Sequence, residues 1–377
     1  MSAILPGATI GILGGGQLGR MTAMAARSLG YRIQVMDPDP SCPARFVVDA
    51  CFEGAWDDAK AAADLARGCD VVTLEIEQLS LETLRAAQRY APVRPGEALL
   101  AIIQDRIAQK EWLAAHQFPV GPFRSVRSLE TMRAALDAFG HDCFVKSARG
   151  GYDGRSQLRI TPRGGESAEL AWRALGQRPS IAEQAIPLER EISVLVARTP
   201  SGALKSFPSA TNHHENQILA WSVIPSSIPA AMELEAQRIA RSLAEKLALE
   251  GILAVELFVT QDGALLINEL APRPHNSYHA SERACVVSQF EQHVRAICDL
   301  PLGNTEVLRP AAIANLLGDE WADGPPHFDR ALEVDGVRLH LYEKHSPRPG
   351  RKMGHLSAIG DTPDDAVKRV LDAKSRL

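Results

Sequence analysis

The first hundred residues alternate short, mainly apolar runs with stretches whose apolar residues recur at helical spacing. The apolar runs predict buried strands over residues 10–13, 33–36 and 71–74. The helical patterns cover residues 18–29, 59–66 and 81–87. Because strands that alternate with helices form βαβ units, we predict one α/β domain with a parallel sheet.

The pattern changes after a turn-rich passage at residues 91–96, so we place a domain boundary near residue 100. A helix is predicted over residues 97–116. Beyond it, strands over 143–148, 157–160 and 191–197 and a helix over 168–175 indicate a small α+β module. A helical period over 232–249 then leads into strands over 252–259 and 264–270.

Composition and charge narrow the class of protein. The chain has 377 residues and 45% hydrophobic content, enough for two or three domains. The net charge of −5 gives no global positive field, so we expect neither nucleic acid nor a membrane as a partner. The six cysteines form no C-x-x-C pair, and no apolar run is long enough to cross a bilayer. We therefore expect a cytoplasmic location.

The stretch GILGGGQLGR, residues 11–20, has the glycine spacing of a dinucleotide-binding loop. Gly14, Gly16 and Gly19 follow an apolar run at G-x-G-x-x-G spacing, and Asp37 stands where a ribose-binding acid would. By itself this pattern predicts a nicotinamide or flavin enzyme.

Two carboxylates lie in predicted strands that are otherwise apolar. A two-residue turn at Asp262-Gly263 would place Glu256 directly opposite Glu269. Opposed buried carboxylates repel each other, so a cation is expected between them. Lys or Arg side chains from other parts of the chain would supply this positive charge. The sharper hypothesis is a divalent metal ion with Asn268 as a further oxygen ligand.

Two further stretches combine positive charge with glycine or proline. Lys146 lies in a strand that runs into a loop with Gly150, Gly151 and Gly154. Such a loop lets backbone N–H groups approach an anion, although an ordinary hairpin would have the same pattern.

The segment 344–355, KHSPRPGRKMGH, gathers four basic side chains and two histidines, which suits either a solvated loop or a fixed phosphate.

The order of these motifs resembles the ATP-grasp superfamily and, within it, the N5-carboxyaminoimidazole ribonucleotide synthetase family. The likeness covers nearly the whole chain, and its most specific parts are GGYDGR, NELAPRPHNS, SQFEQH and RPGRKMGH. It implies an ATP-grasp fold of mixed α/β and α+β class, and a homodimer. The implied parts are a Rossmann-like (pre-ATP-grasp) parallel-sheet domain over residues 1–100, a lid-containing α+β subdomain over 101–190, and a C-terminal domain over 191–377 that ends in a small β-rich segment.

The resemblance implies a reaction in purine biosynthesis that joins bicarbonate to the exocyclic amine of 5-aminoimidazole ribonucleotide and cleaves ATP to ADP and phosphate. A bicarbonate oxygen first takes the γ-phosphoryl group, which gives carboxyphosphate. The amine then captures that intermediate or the carbon dioxide that it releases. ATP and Mg²⁺ are the implied cofactors.

The resemblance also implies roles for individual residues. The ATP-binding set is Arg106, Lys146, Gly151, Tyr152, Asp153, Gly154, Arg155, Ser156, Gln157, Glu183, Gln184, Ala185, Ile186, Glu191 and His214. The magnesium set is Glu256 and Glu269, with Asn268 beside them. The catalytic set is Arg273, His275, Asp153 and Arg155. The substrate-binding set is Gly16, Gln17, Leu18, Glu75, Tyr152, Asp153, Arg155, Asn276, Lys344, Arg351 and Lys352.

Within these sets, Arg106, Lys146 and His214 would approach the ATP phosphates, and Glu191 would hold the ribose. Residues 183–186 would line the adenine. Arg273 and His275 would stabilise bicarbonate or carboxyphosphate. Lys344, Arg351 and Lys352 would hold the 5′-phosphate of the ribonucleotide.

Under this resemblance the N-terminal glycine loop faces the ribonucleotide, and Asp37 has a structural role at a strand end. Three alternatives stay open. The first is a dinucleotide-dependent oxidoreductase, which leaves Glu256, Glu269 and the basic segment unexplained. The second is another ATP-grasp enzyme, such as formate-dependent glycinamide ribonucleotide transformylase or biotin carboxylase. The third is a catalytically inactive binding module.

Overall fold

The computed structural model describes residues 2–150, 157–164 and 167–377. The predicted site residues Gly151, Tyr152, Asp153, Gly154, Arg155 and Ser156 lie outside the described residues. Among the described residues, no helix is both long and apolar enough to cross a membrane.

The N-terminal residues form a four-stranded parallel sheet. Its strands, in spatial order, are β3 (Ala50–Glu53), β2 (Arg32–Asp37), β1 (Thr9–Leu13) and β4 (Val71–Leu74). Its helices are α1 (Gln17–Ser28), α2 (Ala59–Ala66) and α3 (Leu81–Gln88). The three predicted strands and their parallel pairing are confirmed. The pattern missed the edge strand β3 because its four residues are at most half-buried.

The predicted helix over residues 97–116 is two helices, α4 (Glu97–Ile103) and α5 (Arg106–Ala115). Asp105 lies between them, and its carboxylate accepts from the backbone N–H groups two and three residues further on (3.0 and 3.2 Å). A side chain that caps these amides starts a new helix. The break places Arg106 at the first position of α5.

A second sheet of four antiparallel strands follows. Its spatial order is β5 (Phe123–Val126), β8 (Ser180–Gln184), β6 (Cys143–Ser147) and β7 (Gln157–Ile160). Helices α6 (Leu129–Ala138) and α7 (Ala168–Ala174) pack their apolar sides against it. The elements predicted at 143–148, 157–160 and 168–175 are confirmed to within one residue.

The largest sheet contains the remaining strands. Its spatial order is β14 (Leu265–Ala271), β13 (Gly251–Thr260), β9 (Leu188–Arg198), β11 (Ala210–Glu215), β12 (Ile218–Ile224), β15 (Ala311–Leu317), β17 (Lys352–Ile359) and β16 (Val337–Leu341), and β10 (Leu204–Ser206) pairs with β9. The accompanying helices are α8 (Ala230–Lys246), α9 (Ser281–Ala284), α10 (Gln289–Ile297), α11 (Phe328–Ala331) and α12 (Pro363–Ser375). Because β15 pairs with β12, the β-rich C-terminal segment extends this sheet and forms no separate one.

The hairpin between β13 and β14 has a three-residue loop, so the predicted two-residue turn is wrong. The N–H of Thr260 donates to the carbonyl of Ala264 (3.0 Å), which leaves residues 261–263 as the loop. Gly263 has a φ of +84°, a left-handed conformation that glycine adopts without strain. The two strands therefore start one position out of the predicted register.

A bulge in β14 corrects the register before the carboxylates are reached. Leu257 lies opposite Ile267, but Glu256 lies opposite Glu269, so Asn268 is the extra residue. The predicted pairing of the two glutamates is confirmed, although the predicted turn was wrong. The bulge also brings Asn268 to Glu256, to which its side-chain amide donates (3.3 Å).

Helix α10 joins the N-terminal sheet to the rest of the molecule. Val294 and Ile297 of this helix belong to the same buried cluster as Ile10 and Ile33 of the parallel sheet. His293 adds a buried hydrogen bond to the Thr73 hydroxyl (2.9 Å). Apolar packing and polar contacts such as this one thus hold the parallel sheet in place.

Candidate active site

One cleft of about 1040 Å³ collects side chains from the neighbourhood of all three sheets. The predicted site residues that line it are Arg106, Lys146, Gln157, Glu183, Gln184, Ile186, Glu191, His214, Glu256, Asn268, Glu269, Arg273, His275, Asn276 and Lys352. The predicted residues that do not line it are Gly16, Gln17, Leu18, Glu75, Ala185, Lys344 and Arg351. The fold therefore brings together most of a set that is dispersed along the chain.

A buried glutamate of this cleft lies between two lysines. Glu183 Oε1 lies 2.9 Å from Lys110 Nζ, and Glu183 Oε2 lies 2.6 Å from Lys146 Nζ. Burial opposes ionisation of Glu183, but the two ammonium groups outweigh it and lower the pKa of this carboxyl to about 2. We call Lys110, Lys146 and Glu183 the lysine cluster.

Sequence analysis missed Lys110, which is only 5% exposed. Its Nζ also donates to the backbone carbonyl of Ile267 (2.9 Å). A signal was present, because at helical spacing Lys110 falls between the buried residues Ile107 and Leu113 of α5. A lysine on an apolar helix face needs a buried partner.

Arg106 ties the start of α5 to the described beginning of the glycine-rich loop. Its Nη1 donates to the carbonyls of Ser147 (3.0 Å) and Gly150 (2.8 Å). Beside it, Arg149 forms an ion pair with Asp105, the residue that caps α5 (3.0 Å). The cap that broke the predicted helix therefore also holds Arg149.

Glu256, Glu269 and Asn268 form a second group in the cleft, which we call the carboxylate cluster. Glu256 and Glu269 are direct cross-strand neighbours. His275 Nε2 lies 3.3 Å from Glu256 Oε1. Burial, with the charge of Glu269 adding to it, raises the pKa of Glu256 to about 7.

The carboxylate cluster fits a magnesium ion. Mg²⁺ prefers oxygen ligands, and it commonly binds through one or two carboxylates together with substrate phosphates. Burial and the charge of Glu269 both raise the pKa of Glu256, so its surroundings favour a positive charge beside the two carboxylates. A divalent cation would supply the missing charge, and the cleft leaves room for phosphate oxygens to complete its ligand set.

His214 and Glu191 form an ion pair next to the carboxylate cluster. His214 Nδ1 lies 2.8 Å from Glu191 Oε2. Burial opposes protonation of His214, but Glu191 and Glu256 outweigh it and raise the pKa of the imidazole. A register irregularity separates His213 from His214, and His213 stacks on Trp221 with ring centroids 5.1 Å apart. Of the two histidines, only His214 lines the cleft.

Arg273 is held by a residue from the N-terminal region. Its Nε lies 2.6 Å from Glu77 Oε1, and both side chains line the cleft. Sequence analysis selected Glu75 in the same stretch and missed Glu77. Nothing in the local pattern distinguishes the two, because they are two positions apart in a short segment after β4.

His275 is a neutral hydrogen-bond donor in this site. Burial, followed by the charge of Arg273, holds the pKa of His275 well below its ordinary value. Its Nδ1 lies 2.8 Å from the Ser277 hydroxyl, and its Nε2 faces the Glu256 carboxylate. Nδ1 also accepts from the backbone N–H of Ser277 (3.4 Å), so the proton of the neutral ring is on Nε2.

A buried hydrogen-bond network connects His275 to the N-terminal glycine loop. Gln289 accepts from the N–H of His275 (2.9 Å) and donates to its carbonyl (2.8 Å). The same amide lies 3.1 Å from His279 Nδ1, and His279 Nε2 lies 3.0 Å from Asn276 Oδ1. Gln17 donates to that oxygen as well (3.4 Å). Gln289 belongs to the motif SQFEQH, to which sequence analysis assigned no role.

The three basic residues predicted for the 5′-phosphate differ in their surroundings. Lys344 donates to the Gln17 side chain and to the carbonyl of Lys352 (2.8 Å). Lys352 is buried and lines the cleft. Arg351 does not line it and donates to the carbonyl of Ser346 (2.9 Å).

Carboxylates of the protein itself occupy the amides of the N-terminal glycine loop. The two oxygens of Glu75 accept from the N–H groups of Gly16 (2.7 Å) and Gly19 (2.8 Å). Asp37 accepts from the N–H of Gly15 (2.7 Å). These donors are the ones that a pyrophosphate would use, so the loop does not offer a dinucleotide site.

Two other predicted residues contribute packing and backbone contacts. Leu18 packs with Met21, Phe290 and Tyr342 in a buried cluster. The N–H of Ala185 donates to the carbonyl of Asp142 (3.0 Å). Neither side chain reaches the cleft.

Three family models match this chain in succession. They are the ribonucleotide synthetase preATP-grasp domain over residues 7–104, the ATP-grasp domain over residues 111–290, and the phosphoribosylaminoimidazole carboxylase C-terminal domain over residues 311–369. With the fold and the cleft described above, they define an ATP-grasp protein.

The N5-carboxyaminoimidazole ribonucleotide synthase of Brucella melitensis biotype 1 is 43% identical over 362 residues, which is 95% of this chain and 98% of that protein. The chain belongs to this family. A solved ADP complex of an N5-carboxyaminoimidazole ribonucleotide synthetase has a TM-score of 0.92 at 40% identity, covering 99% of this chain and 98% of that one. The Aspergillus clavatus enzyme, solved with ADP and 5-aminoimidazole ribonucleotide, has a TM-score of 0.88 at 29% identity, covering 98% and 99%.

Proposed function

We propose that this protein carboxylates 5-aminoimidazole ribonucleotide with bicarbonate, coupled to cleavage of ATP to ADP and phosphate, in purine biosynthesis. The product is N5-carboxyaminoimidazole ribonucleotide. The observation that carries the proposal is one cleft that holds the lysine cluster, the carboxylate cluster, Arg273 and His275. Membership of the synthase family supports the same reaction.

ATP binds with its phosphates near Lys146 and Arg106, and its adenine lies along the end of β8. Glu183 accepts a hydrogen bond from the adenine amino group, because Lys110 and Lys146 keep this carboxyl ionised. Glu191 accepts hydrogen bonds from the ribose hydroxyls. The lysine cluster thus fixes the nucleotide before chemistry begins.

Glu256 and Glu269 hold Mg²⁺, with Asn268 beside them. The ion, when bound, supplies positive charge to the phosphate oxygens of ATP. His275 lies with its Nε2 3.3 Å from Glu256 Oε1 and so positions that carboxylate, as outer-shell partners of metal ligands do.

The reaction proceeds in two steps. A bicarbonate oxygen attacks the γ-phosphorus, the bond to the ADP oxygen breaks, and carboxyphosphate forms. The exocyclic amine of the ribonucleotide then attacks the carboxyl carbon, phosphate leaves, and the nitrogen loses a proton. Arg273 directs its guanidinium at the developing negative charge.

The ribonucleotide lies where the network around Asn276 meets the basic segment. Asn276 and Gln17 offer amide groups to it, and Lys344 and Lys352 supply positive charge for its 5′-phosphate. Glu75 acts through the loop, because its carboxylate holds Gly16 and the start of α1 in position.

A homodimer and a cytoplasmic location are further parts of the proposal. All six cysteines are free thiols, which suits a reducing compartment. Multi-angle light scattering of the purified protein should give twice the chain mass. A monomer at micromolar concentration contradicts the dimer.

A phosphate-release assay tests the function. Purified protein receives ATP, magnesium and bicarbonate, with and without 5-aminoimidazole ribonucleotide. We expect phosphate release that depends on the ribonucleotide, with one carboxylated product formed for each phosphate. Two controls replace the ribonucleotide by glycinamide ribonucleotide with formate, or by biotin. Turnover with either control acceptor and none with the aminoimidazole overturns the proposal.

A further inference from the structure

Outside the active-site cleft, a glutamate and two histidines meet beside a second cavity. Glu282, His340 and His355 each offer one ligand atom, and the three atoms lie within 4.8 Å of one another. The adjacent cavity of about 270 Å³ is lined by Glu282 and His340 together with residues of α1 and α10. None of the three residues lines the active-site cleft.

The large sheet fixes the two histidines relative to each other. His340 of β16 and His355 of β17 are directly opposed in antiparallel register. Their rings are 12° from parallel with centroids 5.1 Å apart. Directly opposed residues of two paired strands project from the same face of the sheet. Glu282 comes from α9, which packs against β17.

The orientation of the His355 ring is also fixed. Its Nδ1 lies 2.8 Å from the Tyr342 hydroxyl, and the His279 ring stacks on it with centroids 4.9 Å apart. A histidine that binds a metal commonly has its second ring nitrogen held by such a hydrogen bond. Nε2 of His355 is then the nitrogen that remains for a metal.

The three residues differ in their burial. His355 is buried, His340 is half-buried and Glu282 is exposed. The group therefore opens toward solvent on the side of Glu282 and the cavity. Three protein ligands with an open fourth position are the usual arrangement of a zinc site that keeps a bound water.

We propose that Glu282, His340 and His355 bind a divalent transition metal of the zinc class. Two imidazoles and one carboxylate suit Zn²⁺, Co²⁺ and Ni²⁺, whereas Mg²⁺ and Ca²⁺ prefer sets made of oxygen atoms. The site is therefore chemically distinct from the carboxylate cluster. A metal here joins α9 to β16 and β17, and it stabilises that junction because it binds the folded state.

Binding requires a small inward movement of the ligands. Zn–N bonds of about 2.1 Å place two ligand atoms no more than about 4.2 Å apart. Ligand atoms that lie farther apart than this, within the 4.8 Å limit, must approach each other. Because the stacked rings of His340 and His355 are only 12° from parallel, one ring must also turn before both nitrogens face the same ion. Glu282 and His340 are the less buried residues, and rotation of their side chains supplies this movement.

Zinc binding to the full-length protein tests the proposal. Excess Mg²⁺ is present throughout, because His214, His275 and Glu256 of the active site offer a competing ligand set, and ADP is omitted because its phosphates bind Zn²⁺ themselves. Titration calorimetry with Zn²⁺ measures affinity, and the visible absorption of Co²⁺ reports nitrogen ligation and coordination geometry. The variants are His340→Gln and Glu282→Gln, and the matched control is His116→Gln, which changes an exposed histidine on another part of the surface.

We expect the unmodified protein and His116→Gln to bind a single Zn²⁺ and to gain thermal stability from it. His340→Gln should lose at least about 100-fold in affinity, since even an outer-shell partner is worth roughly 10–100-fold. Glu282→Gln should weaken binding by a smaller factor. The proposal is overturned if His340→Gln binds Zn²⁺ as tightly as the control, or if neither binds Zn²⁺ in the presence of excess Mg²⁺. Far-ultraviolet circular dichroism verifies that each variant is folded.

Discussion

Two glutamates in the same cleft, Glu183 and Glu256, lie in opposite electrostatic surroundings. Burial opposes ionisation at both positions. At Glu183 the charges of Lys110 and Lys146 outweigh burial, and the pKa falls to about 2. At Glu256 the charge of Glu269 adds to the effect of burial, and the pKa rises to about 7.

The difference separates two kinds of binding site. The lysine cluster contains its own counter-charge, so Glu183 is ionised and paired without any ligand. The carboxylate cluster lacks such compensation, so Glu256 keeps part of its proton near neutral pH, and a bound cation would favour ionisation of both carboxylates. One region of the cleft is therefore preorganised, and the other depends on its ligand.

Glu269→Gln should have the largest effect on activity, because it removes one of the two proposed magnesium ligands. We expect kcat to fall by about 10³-fold or more, since metal charge at a phosphoryl group is worth several kcal/mol. Ribonucleotide-dependent phosphate release, measured over a range of magnesium concentrations, checks this. The free energy of unfolding should not fall, because cross-strand repulsion is relieved. The exposed control Glu245→Gln should keep normal activity, and near-normal turnover of Glu269→Gln at low magnesium contradicts the metal assignment.

Lys110→Met tests the lysine cluster. It leaves Glu183 with one lysine and removes the hydrogen bond to the carbonyl of Ile267. Breaking a buried ion pair at one partner costs about 3 kcal/mol or more in the free energy of unfolding, which denaturant titration measures. The double variant Lys110→Met/Glu183→Gln should recover part of this loss, because no uncompensated carboxylate remains. Full stability of the single variant, equal to that of the exposed control Lys246→Met, shows that the pair does not stabilise the fold.

The pH dependence of stability sharpens the comparison, because the two pKa shifts have opposite signs. The stabilisation from Glu183 is present above its unfolded pKa near 4.5 and is lost as the pH falls toward 2. The folded protein holds the Glu256 proton more tightly than the unfolded chain does. The stabilisation that results is present below about pH 4.5 and is lost as the pH rises through about 7.

Denaturant unfolding of metal-free protein from pH 3 to pH 8 measures both effects. Glu183→Gln should flatten the acid side of the stability profile. Glu256→Gln should remove the loss between about pH 5 and pH 7. An unchanged slope in that range for Glu256→Gln would show that Glu256 is not the group that takes up the proton.

Gln289→Leu should have the smallest effect. It removes the hydrogen bonds to the backbone of His275, which in turn contacts Glu256, but it does not touch the lysine cluster. We expect kcat to fall by about 10-fold, as for loss of an outer-shell partner, with an unchanged KM for ATP. Steady-state kinetics separates the two constants, and a thermal melt verifies folding. A raised KM for ATP with normal kcat contradicts a positioning role at the carboxylate cluster.

Local sequence patterns predicted much of this site. The strand that carries Lys146 was predicted, and the apolar runs on either side of the turn residues Asp262-Gly263 predicted the pair of strands that carry Glu256 and Glu269. The order of the motifs along the chain indicated the family. The predicted pairing of the two glutamates is correct although the predicted turn is wrong, because the bulge at Asn268 compensates for the extra residue in the loop.

Residues that act through distant partners were not predictable in the same way. Lys110 and Glu183 are separated by 73 residues, from 110 to 183, and neither local pattern shows that they touch. The choice between Glu75 and Glu77 depended on which carboxylate meets Gly16 and which meets Arg273. Both contacts bridge segments that only the folded chain brings together.

By itself, the sequence determined the parallel sheet of the N-terminal region, the strands that carry the site, and the types of residue available for phosphate and metal binding. These follow from periodicity and side-chain chemistry, which act over a few residues. Tertiary structure decided the charge state of each carboxyl, the occupation of the glycine loop by Glu75, and the meeting of Glu282 with His340 and His355. The physical reason is that ionisation and hydrogen bonding depend on burial and on partners a few ångströms away, and those partners come from distant parts of the chain.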